Sequence, residues 1–224
     1  MPRSYQELIS DDPAWPGVVK QAAAAPNGAV VLPPVNDEQR RACLLAVQVT
    51  TRSTLGALAH ETGGVLVDHG FLRHLGSGSP KLPRQLIAWN EELDIALERY
   101  MIVADDVVGG VYAVNGSRGE LGKVPGRIYY FAPDSLEWED TELGHTDFVS
   151  WTFEGDLATF YESMRWPGWE EEVAKVAGDA ALSIVPPLWA DGDVSIAERD
   201  RRAVPAKELW SLQQDFADAL AKKR

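Results

Sequence analysis

Apolar residues in the middle of the chain fall into three short runs, at residues 101–104, 111–114 and 128–131. Short apolar runs bounded by turn residues are typical of buried strands. Asn115-Gly116 follows the second run, and this pair favours a tight turn because both residues tolerate positive φ. No helical pattern separates the three runs. The sequence therefore predicts three consecutive strands in an antiparallel meander, with Asp105 and Asp106 breaking the first after residue 104.

Helical periodicity flanks these runs on both sides. Between residues 82 and 97, leucines and Trp89 recur every three or four positions, which predicts an amphipathic helix with its apolar stripe on the sheet. Residues 207–222 show the same pattern and predict a C-terminal helix. Residues 30–32 predict a further strand. Together these patterns predict an α+β fold: a central, mainly antiparallel twisted sheet packed by several helices, with a helical C-terminal extension.

The chain shows no internal repeat and no long linker. We therefore expect a single α+β domain over residues 1–224, with a core of about residues 28–164 and a helical extension of about 165–224.

The formal net charge of −13 narrows the classes of partner. Nucleic-acid affinity depends on neutralising phosphates with lysine and arginine, and anionic membranes attract basic segments, so both partners are disfavoured. A basic protein partner fits this charge, because opposite potentials steer association. The oligomeric state is left open.

Sequence features that report on the cell compartment point inside the cell. The chain has no apolar run near 18 residues, begins without an apolar signal region, and carries one cysteine, Cys43. One cysteine excludes an internal disulfide, and within an apolar helix it is typical of a small buried residue. These features predict a cytoplasmic protein without a transmembrane helix.

Two groups of polar residues could bind a metal ion. Asp105 and Asp106, before Gly109-Gly110, could hold a cation or a phosphate, or they could form a turn with a β-bulge. Asp68, His69 and His74 are the other metal candidates, although their spacing matches no zinc motif. For the aspartates the favoured interpretation is a turn, and for the histidines it is a structural role, in both cases over metal binding. Since no recognised motif is present, no metal and no cofactor are assigned.

A third cluster is acidic and surrounds Trp138. Glu137, Glu139, Asp140 and Glu142 lie beside it, and alternation from Leu136 to Trp138 predicts an edge strand. Two carboxylates could act as an acid–base pair, but carboxylates this abundant are typical of a solvated face. An acidic face that carries Trp138 would suit a basic partner, with the aromatic ring as the anchor.

Two tryptophans surround Pro167-Gly168, and this arrangement indicates an aromatic corner or a contact surface. The residues predicted to contact a partner are Asp105, Asp106, Glu137, Trp138, Glu139, His69, Arg73, Trp166 and Trp169.

Five stretches taken together resemble a bacterial protein family of unknown function. They are VTTRSTLGA at 49–57, TGGVLVDHG at 62–70, ADDVVGG at 104–110, YYFAPDSLEWE at 129–139 and RWPGW at 165–169. The resemblance covers most of residues 5–190. It implies a shared fold but no known activity.

That family is similar in pattern to the SUKH superfamily, through GRIYY at 126–130 and DFVSW at 147–151. This similarity implies an α+β fold and a role in protein binding, because many SUKH members are bacterial immunity proteins that bind toxins. The extension after Met164 and the N-terminal helices depart from that pattern. The leading hypothesis is a non-enzymatic protein-binding module of the immunity type. The alternative is a metal-dependent or small-molecule enzyme in which Asp68, His69, His74, Asp105 and Asp106 converge.

Overall fold

The computed structural model describes residues 2–190, 192 and 194–222 of the chain. Its helices are α1 Tyr5–Leu8, α2 Trp15–Ala24, α3 Asp37–Val47, α4 Thr54–Glu61, α5 Leu86–Glu92, α6 His145–Glu154, α7 Leu157–Phe160, α8 Trp169–Val173 and α9 Ala206–Ala221, with 3₁₀ turns at Asp68–Gly70, Glu162–Met164 and Ile196–Glu198. Its strands are β1 Ala29–Leu32, β2 Gly64–Val67, β3 Leu72–Leu75, β4 Tyr100–Asp106, β5 Val111–Asn115, β6 Arg127–Ala132, β7 Glu137–Gly144, β8 Ala180–Val185 and β9 Asp200–Pro205.

Strands β1 to β7 form one antiparallel sheet in which the spatial order follows the chain order. Strands β4, β5 and β6 are the predicted meander, and β7 lies at one edge, so both predictions are confirmed. Strands β8 and β9 form a separate hairpin. The predicted α+β class, with an antiparallel sheet packed by helices and a C-terminal helix, is confirmed.

Each face of the sheet is covered by different elements, because side chains alternate between the faces along a strand. On one face, Tyr112 contacts Phe148 of α6 and Tyr130 contacts Phe160 of α7, with ring centroids 4.7 and 5.5 Å apart. On the other face, Phe131 packs against Trp210 of α9 at 5.2 Å. We call these the α6 face and the α9 face.

The hairpin and α9 are tied to the α9 face through the backbone. The N–H of Leu182 donates to the carbonyl of Val107 at 2.7 Å, and α9 packs on both strands of the hairpin. The extension was predicted to be helical, but it includes a strand, β8, that runs up to Val185. The extension is therefore a hairpin followed by the predicted helix.

The predicted helix over residues 82–97 is shorter in the structure, where α5 covers only Leu86–Glu92. Leu82 belongs instead to a β-bridge with Ser79, and Pro83 has no N–H to donate. At the other end, Asp94 adopts a left-handed conformation with φ of 56°, which stops the helix. Leu86 and Trp89 are still buried in the core, as expected.

The prediction that Asp105 and Asp106 break the first central strand is wrong, because both residues continue it as the last two residues of β4. Strand β3, which contains Arg73 and His74, was not predicted at all. Both errors concern charged residues inside strands, and the partners that make this arrangement stable are described below.

None of the helices within the described ranges combines the length and the apolar character needed to cross a bilayer.

Candidate functional site

Asp105 lies between two arginines in the interior of the α9 face. Arg73 donates from Nε to Asp105 Oδ1 at 2.7 Å, and Arg84 donates from Nη1 to Asp105 Oδ2. The three side chains are at most 7% exposed. Burial raises the pKa of Asp105, but the two guanidinium groups outweigh burial and hold this pKa below its usual value. We call these three residues the buried charge cluster.

The remaining donors of the two arginines reach the C-terminal segment. Arg73 Nη1 donates to the carbonyl of Ala180 at 2.7 Å, and Arg84 Nε donates to the carbonyl of Gly178 at 2.8 Å. The Arg84 guanidinium also lies over the ring of Trp89, at 4.9 Å from its centroid. The buried charge cluster thus joins β3 and β4 to the segment that leads into β8.

Asp106 points to the opposite side of the sheet from Asp105, as the alternation of a strand requires. Its carboxylate accepts from the Tyr130 hydroxyl at 2.7 Å and from the N–H groups of Val108 and Gly110 at 3.0 and 2.8 Å. Burial raises the pKa of Asp106 to about 6, against the opposing effect of these hydrogen bonds. The turn interpretation of this segment fits these bonds.

The other three members of the suggested metal site are held by separate partners. Asp68 pairs with Arg165, and the His69 ring meets Trp169 edge-on at 5.8 Å. His74 Nε2 lies 2.8 Å from Thr152 Oγ1, and burial lowers the pKa of this histidine to about 3. In the part of the chain that the structure describes, no three His, Cys, Asp or Glu residues are grouped to hold a metal ion.

Two of the acidic residues predicted around Trp138 lie on the opposite face of the sheet from its ring. Glu139 pairs with Tyr130 on the α6 face, whereas the Trp138 ring packs on the α9 face with Phe131 at 5.4 Å and Trp210 at 6.2 Å. Glu137 is two residues from Glu139 and so shares its face. A single acidic face anchored by Trp138 is therefore not what the structure shows. Trp138 is a partly buried packing residue.

The acidic side chains themselves are on the surface of edge strand β7. Glu137, Glu139, Asp140 and Glu142 are all exposed. Asp140 accepts from Arg127 Nη1 at 2.9 Å and from the Tyr129 hydroxyl at 3.2 Å. The charge of Asp140 is therefore partly balanced. We call these four residues the acidic edge.

The two tryptophans near residue 167 form an aromatic corner. Trp166 is buried, and its Nε1 donates to Glu172 Oε2 at 2.7 Å. Trp169 is half-buried against Phe71, with Arg165 over its ring at 4.3 Å. Of the residues predicted to contact a partner, Arg73, Asp105, Asp106 and Trp166 are inside the fold, so a partner bound to its surface would not touch them.

A cleft of about 270 Å³ opens between β7 and helices α6 and α7. Glu139 and Asp140 lie on the β7 side, and Trp151 and Phe160 lie on the helix side, with ring centroids 5.0 Å apart and planes at 81°. Tyr112, Tyr130, Thr141 and Leu143 complete the lining. Sequence patterns do not reveal this cleft, because Trp151 and Phe160 lie on two separate helices, α6 and α7. Exposure of Phe160, at 37%, is the signal that marks it in the structure.

Comparisons with known proteins agree on one family. The model of the family described as protein of unknown function DUF2625 matches residues 5–209. The chain is 40% identical over 217 residues to the uncharacterized protein YbfG of Escherichia coli (strain K12), covering 96% of this chain and 98% of that protein. It is 39% identical over 179 residues to an uncharacterized protein of Haemophilus influenzae, covering 78% of this chain and 77% of that protein. No solved structure matches the chain. The chain belongs to the DUF2625 family.

Proposed function

We propose that this member of the DUF2625 family is a non-enzymatic protein-binding module that takes a basic protein partner on the acidic edge. The observation that carries the proposal is the position of four exposed acidic side chains on one edge strand of the sheet. The partner contacts the surface at Glu137, Glu139 and their neighbours, whereas the buried charge cluster stabilises the fold.

An edge strand suits a polypeptide partner because one side of its backbone has no neighbouring strand. Strand β7 pairs with β6 on one side, and in the described part of the chain the sheet ends there. An extended segment of a partner can add to such an edge through main-chain hydrogen bonds. Acidic side chains along the edge repel other acidic chains and favour basic ones, which limits non-specific pairing.

The overall charge supports the same partner. A net charge of −13 attracts a basic protein from a distance, and the acidic edge gives this attraction a place to act. The similarity of the sequence to the SUKH superfamily supports a finer hypothesis, in which the partner is a toxin and the chain is an immunity-type protein of the cytoplasm. That finer hypothesis goes beyond the family assignment.

The alternative, a metal-dependent or small-molecule enzyme, draws no support from the geometry. Its five residues are each engaged with different partners, and Asp105 and Asp106 point to opposite sides of the sheet.

Affinity purification of the tagged chain from its native cells tests the proposal, with a pair of charge-reversal variants. Glu137→Lys/Glu142→Lys changes the acidic edge and leaves Glu139 in place. Glu170→Lys/Glu171→Lys is the matched control, because it makes the same change in net charge at two exposed glutamates of α8. Mass spectrometry quantifies each co-purified protein.

We expect one basic protein to be recovered in near-equal molar amount with the wild type and with the α8 variant, and to fall at least tenfold with the edge variant. Equal recovery with all three chains would show that the acidic edge is not the contact. Recovery of no partner by the wild type would remove the protein-binding function itself.

A further inference from the structure

The cleft between β7 and helices α6 and α7 combines aromatic rings with a carboxylate, and this pair of features points to a particular ligand. We infer that the cleft binds a quaternary ammonium group carried on an alkyl stem. The inference goes beyond the proposed function, because a small molecule can fill the cleft whether or not a protein partner binds the acidic edge.

The rings provide the attraction for a cation. Trp151 and Phe160 stand nearly perpendicular, and their centroids are 5.0 Å apart, so one cation can approach both within about 6 Å. Phe160 is 37% exposed and Trp151 is half-buried, so both rings are accessible from the cleft. Tyr130 lies behind Phe160, with ring centroids 5.5 Å apart.

A negative charge at the mouth of the cleft determines which ligand charge the cleft favours. Glu139 is exposed, and the one hydrogen bond of its side chain among the described residues is a contact of 3.4 Å from the Ser135 hydroxyl. It forms no ion pair with any described residue, whereas Asp140 pairs with Arg127. Glu139 would therefore disfavour an anion and attract a cation into the cleft.

The lining favours a methylated cation over one that carries N–H groups. The Tyr130 hydroxyl donates to Asp106, the Tyr112 hydroxyl is bonded to that of Tyr161, and the Thr141 hydroxyl donates to the carbonyl of Ile128. Held against the ring faces, a primary ammonium could direct one N–H to Glu139, but its other N–H groups would lose water to ring faces that accept hydrogen bonds only weakly. A quaternary ammonium has no N–H, and its methyl groups suit the rings and Leu143.

The size of the cleft agrees with a small ligand. Its volume of about 270 Å³ lies just below the range of drug-sized pockets, which begins near 300 Å³. A trimethylammonium group with a short stem is of this class. The same group can come from a free choline-like molecule or from a trimethylated lysine on a protein.

Titration of the purified chain with choline tests the inference, followed by NMR through the indole N–H of Trp151. The matched probe is 3,3-dimethylbutan-1-ol, which has the shape of choline but no charge. We expect choline to shift the Trp151 signal saturably, and the neutral alcohol to bind at least tenfold more weakly. Equal binding of the two probes, or no binding of choline, would overturn the inference.

Variants locate the site without depending on the protein partner. Phe160→Ala should weaken choline binding at least fivefold, whereas Phe216→Ala, a phenylalanine of the same 37% exposure on α9, should leave it unchanged. Glu139→Gln, at an exposed side chain, should weaken choline binding about threefold with the fold intact, consistent with a screened surface charge. Choline binding that is unaffected by both cleft variants would overturn the inference.

A peptide with one trimethyllysine separates the two sources of the group. Tighter binding of the peptide than of choline would assign the cleft to a protein side chain, and the reverse would assign it to a free molecule. Because the variant Glu137→Lys/Glu142→Lys retains Glu139 and both rings, the proposed partner and this ligand can fail independently.

Discussion

Asp105 and Glu139 are acidic residues of the same sheet with opposite surroundings. The Asp105 side chain is 7% exposed and lies between two guanidinium groups, whereas Glu139 is exposed at the edge and has no cationic partner in the described part of the chain. The first carboxylate is necessary to neutralise charges that the fold has taken out of water. The second carboxylate, that of Glu139, is available to pair with a cationic group of another molecule. The comparison shows that burial and pairing, and not residue type, decide which acidic residues could serve in binding.

The largest expected effect comes from removing the buried carboxylate. Asp105→Ala leaves Arg73 and Arg84 buried without a counter-charge, so we expect a loss of about 3–5 kcal/mol in the free energy of unfolding. Glu139→Ala is the matched change at the exposed site and should alter this energy by less than about 0.5 kcal/mol. Urea denaturation at pH 7 measures both. Similar losses in the two variants would show that the buried and the exposed carboxylate contribute equally to stability.

A smaller effect is expected where Asp106 packs against the backbone. A Cβ at Gly110 would overlap Asp106 Oδ2 and Tyr130 Oη, so Gly110→Ala should destabilise the fold by about 1–3 kcal/mol. Gly17 in α2 has open space around its Cβ position, and Gly17→Ala should stabilise the fold by about 0.4–1 kcal/mol. Thermal melting compares the two variants. If Gly110→Ala melts at or above the wild-type temperature, the packing around Asp106 is looser than described.

The smallest effect, measured over one pH unit, is the change in unfolding free energy expected from the titration of Asp106. Its pKa is about 6 in the folded chain, against about 4 in the unfolded chain, so the folded state binds more protons between these values. The stabilisation from this group is complete below about pH 4 and is lost as the pH rises through 6. This one group changes the free energy of unfolding by at most about 1.4 kcal/mol per pH unit.

The difference in unfolding energy between the wild type and Asp106→Asn isolates this titration, because contributions from His74 and His145 are common to both chains. We expect the difference to fall as the pH increases from 4 to 6.5 and then to become constant. A difference that is independent of pH would show that Asp106 remains ionised throughout the range.

Much of the fold could be predicted from local patterns. The three central strands, the edge strand with Trp138 and the C-terminal helix all follow from apolar periodicity within a few residues. Strand β3 could not be predicted this way, because Arg73 and His74 look like surface residues until their partners are known. Those partners, Asp105 and Thr152, are 32 and 78 residues away in the chain.

The candidate site was predictable only in part, for the same reason. The acidic residues 137, 139, 140 and 142 are adjacent in sequence, so their cluster was visible. Whether they share a face with Trp138 depends on the alternation of β7, which places Glu139 and the Trp138 ring on opposite faces. The cleft depends on Trp151 and Phe160, which reach β7 only through the packing of α6 and α7. That residues 28–164 and 165–224 form one domain stays a prediction.

The sequential strand order has a consequence for synthesis on the ribosome. Each strand of the sheet can pair with the strand that emerged just before it, so the sheet can assemble as the chain is made. The guanidinium groups of Arg73 and Arg84 are an exception, because the carbonyls of Ala180 and Gly178 that accept from them are translated about a hundred residues later. Until then these groups remain hydrated. The C-terminal segment is therefore the last to dock, and its docking excludes water from the buried charge cluster.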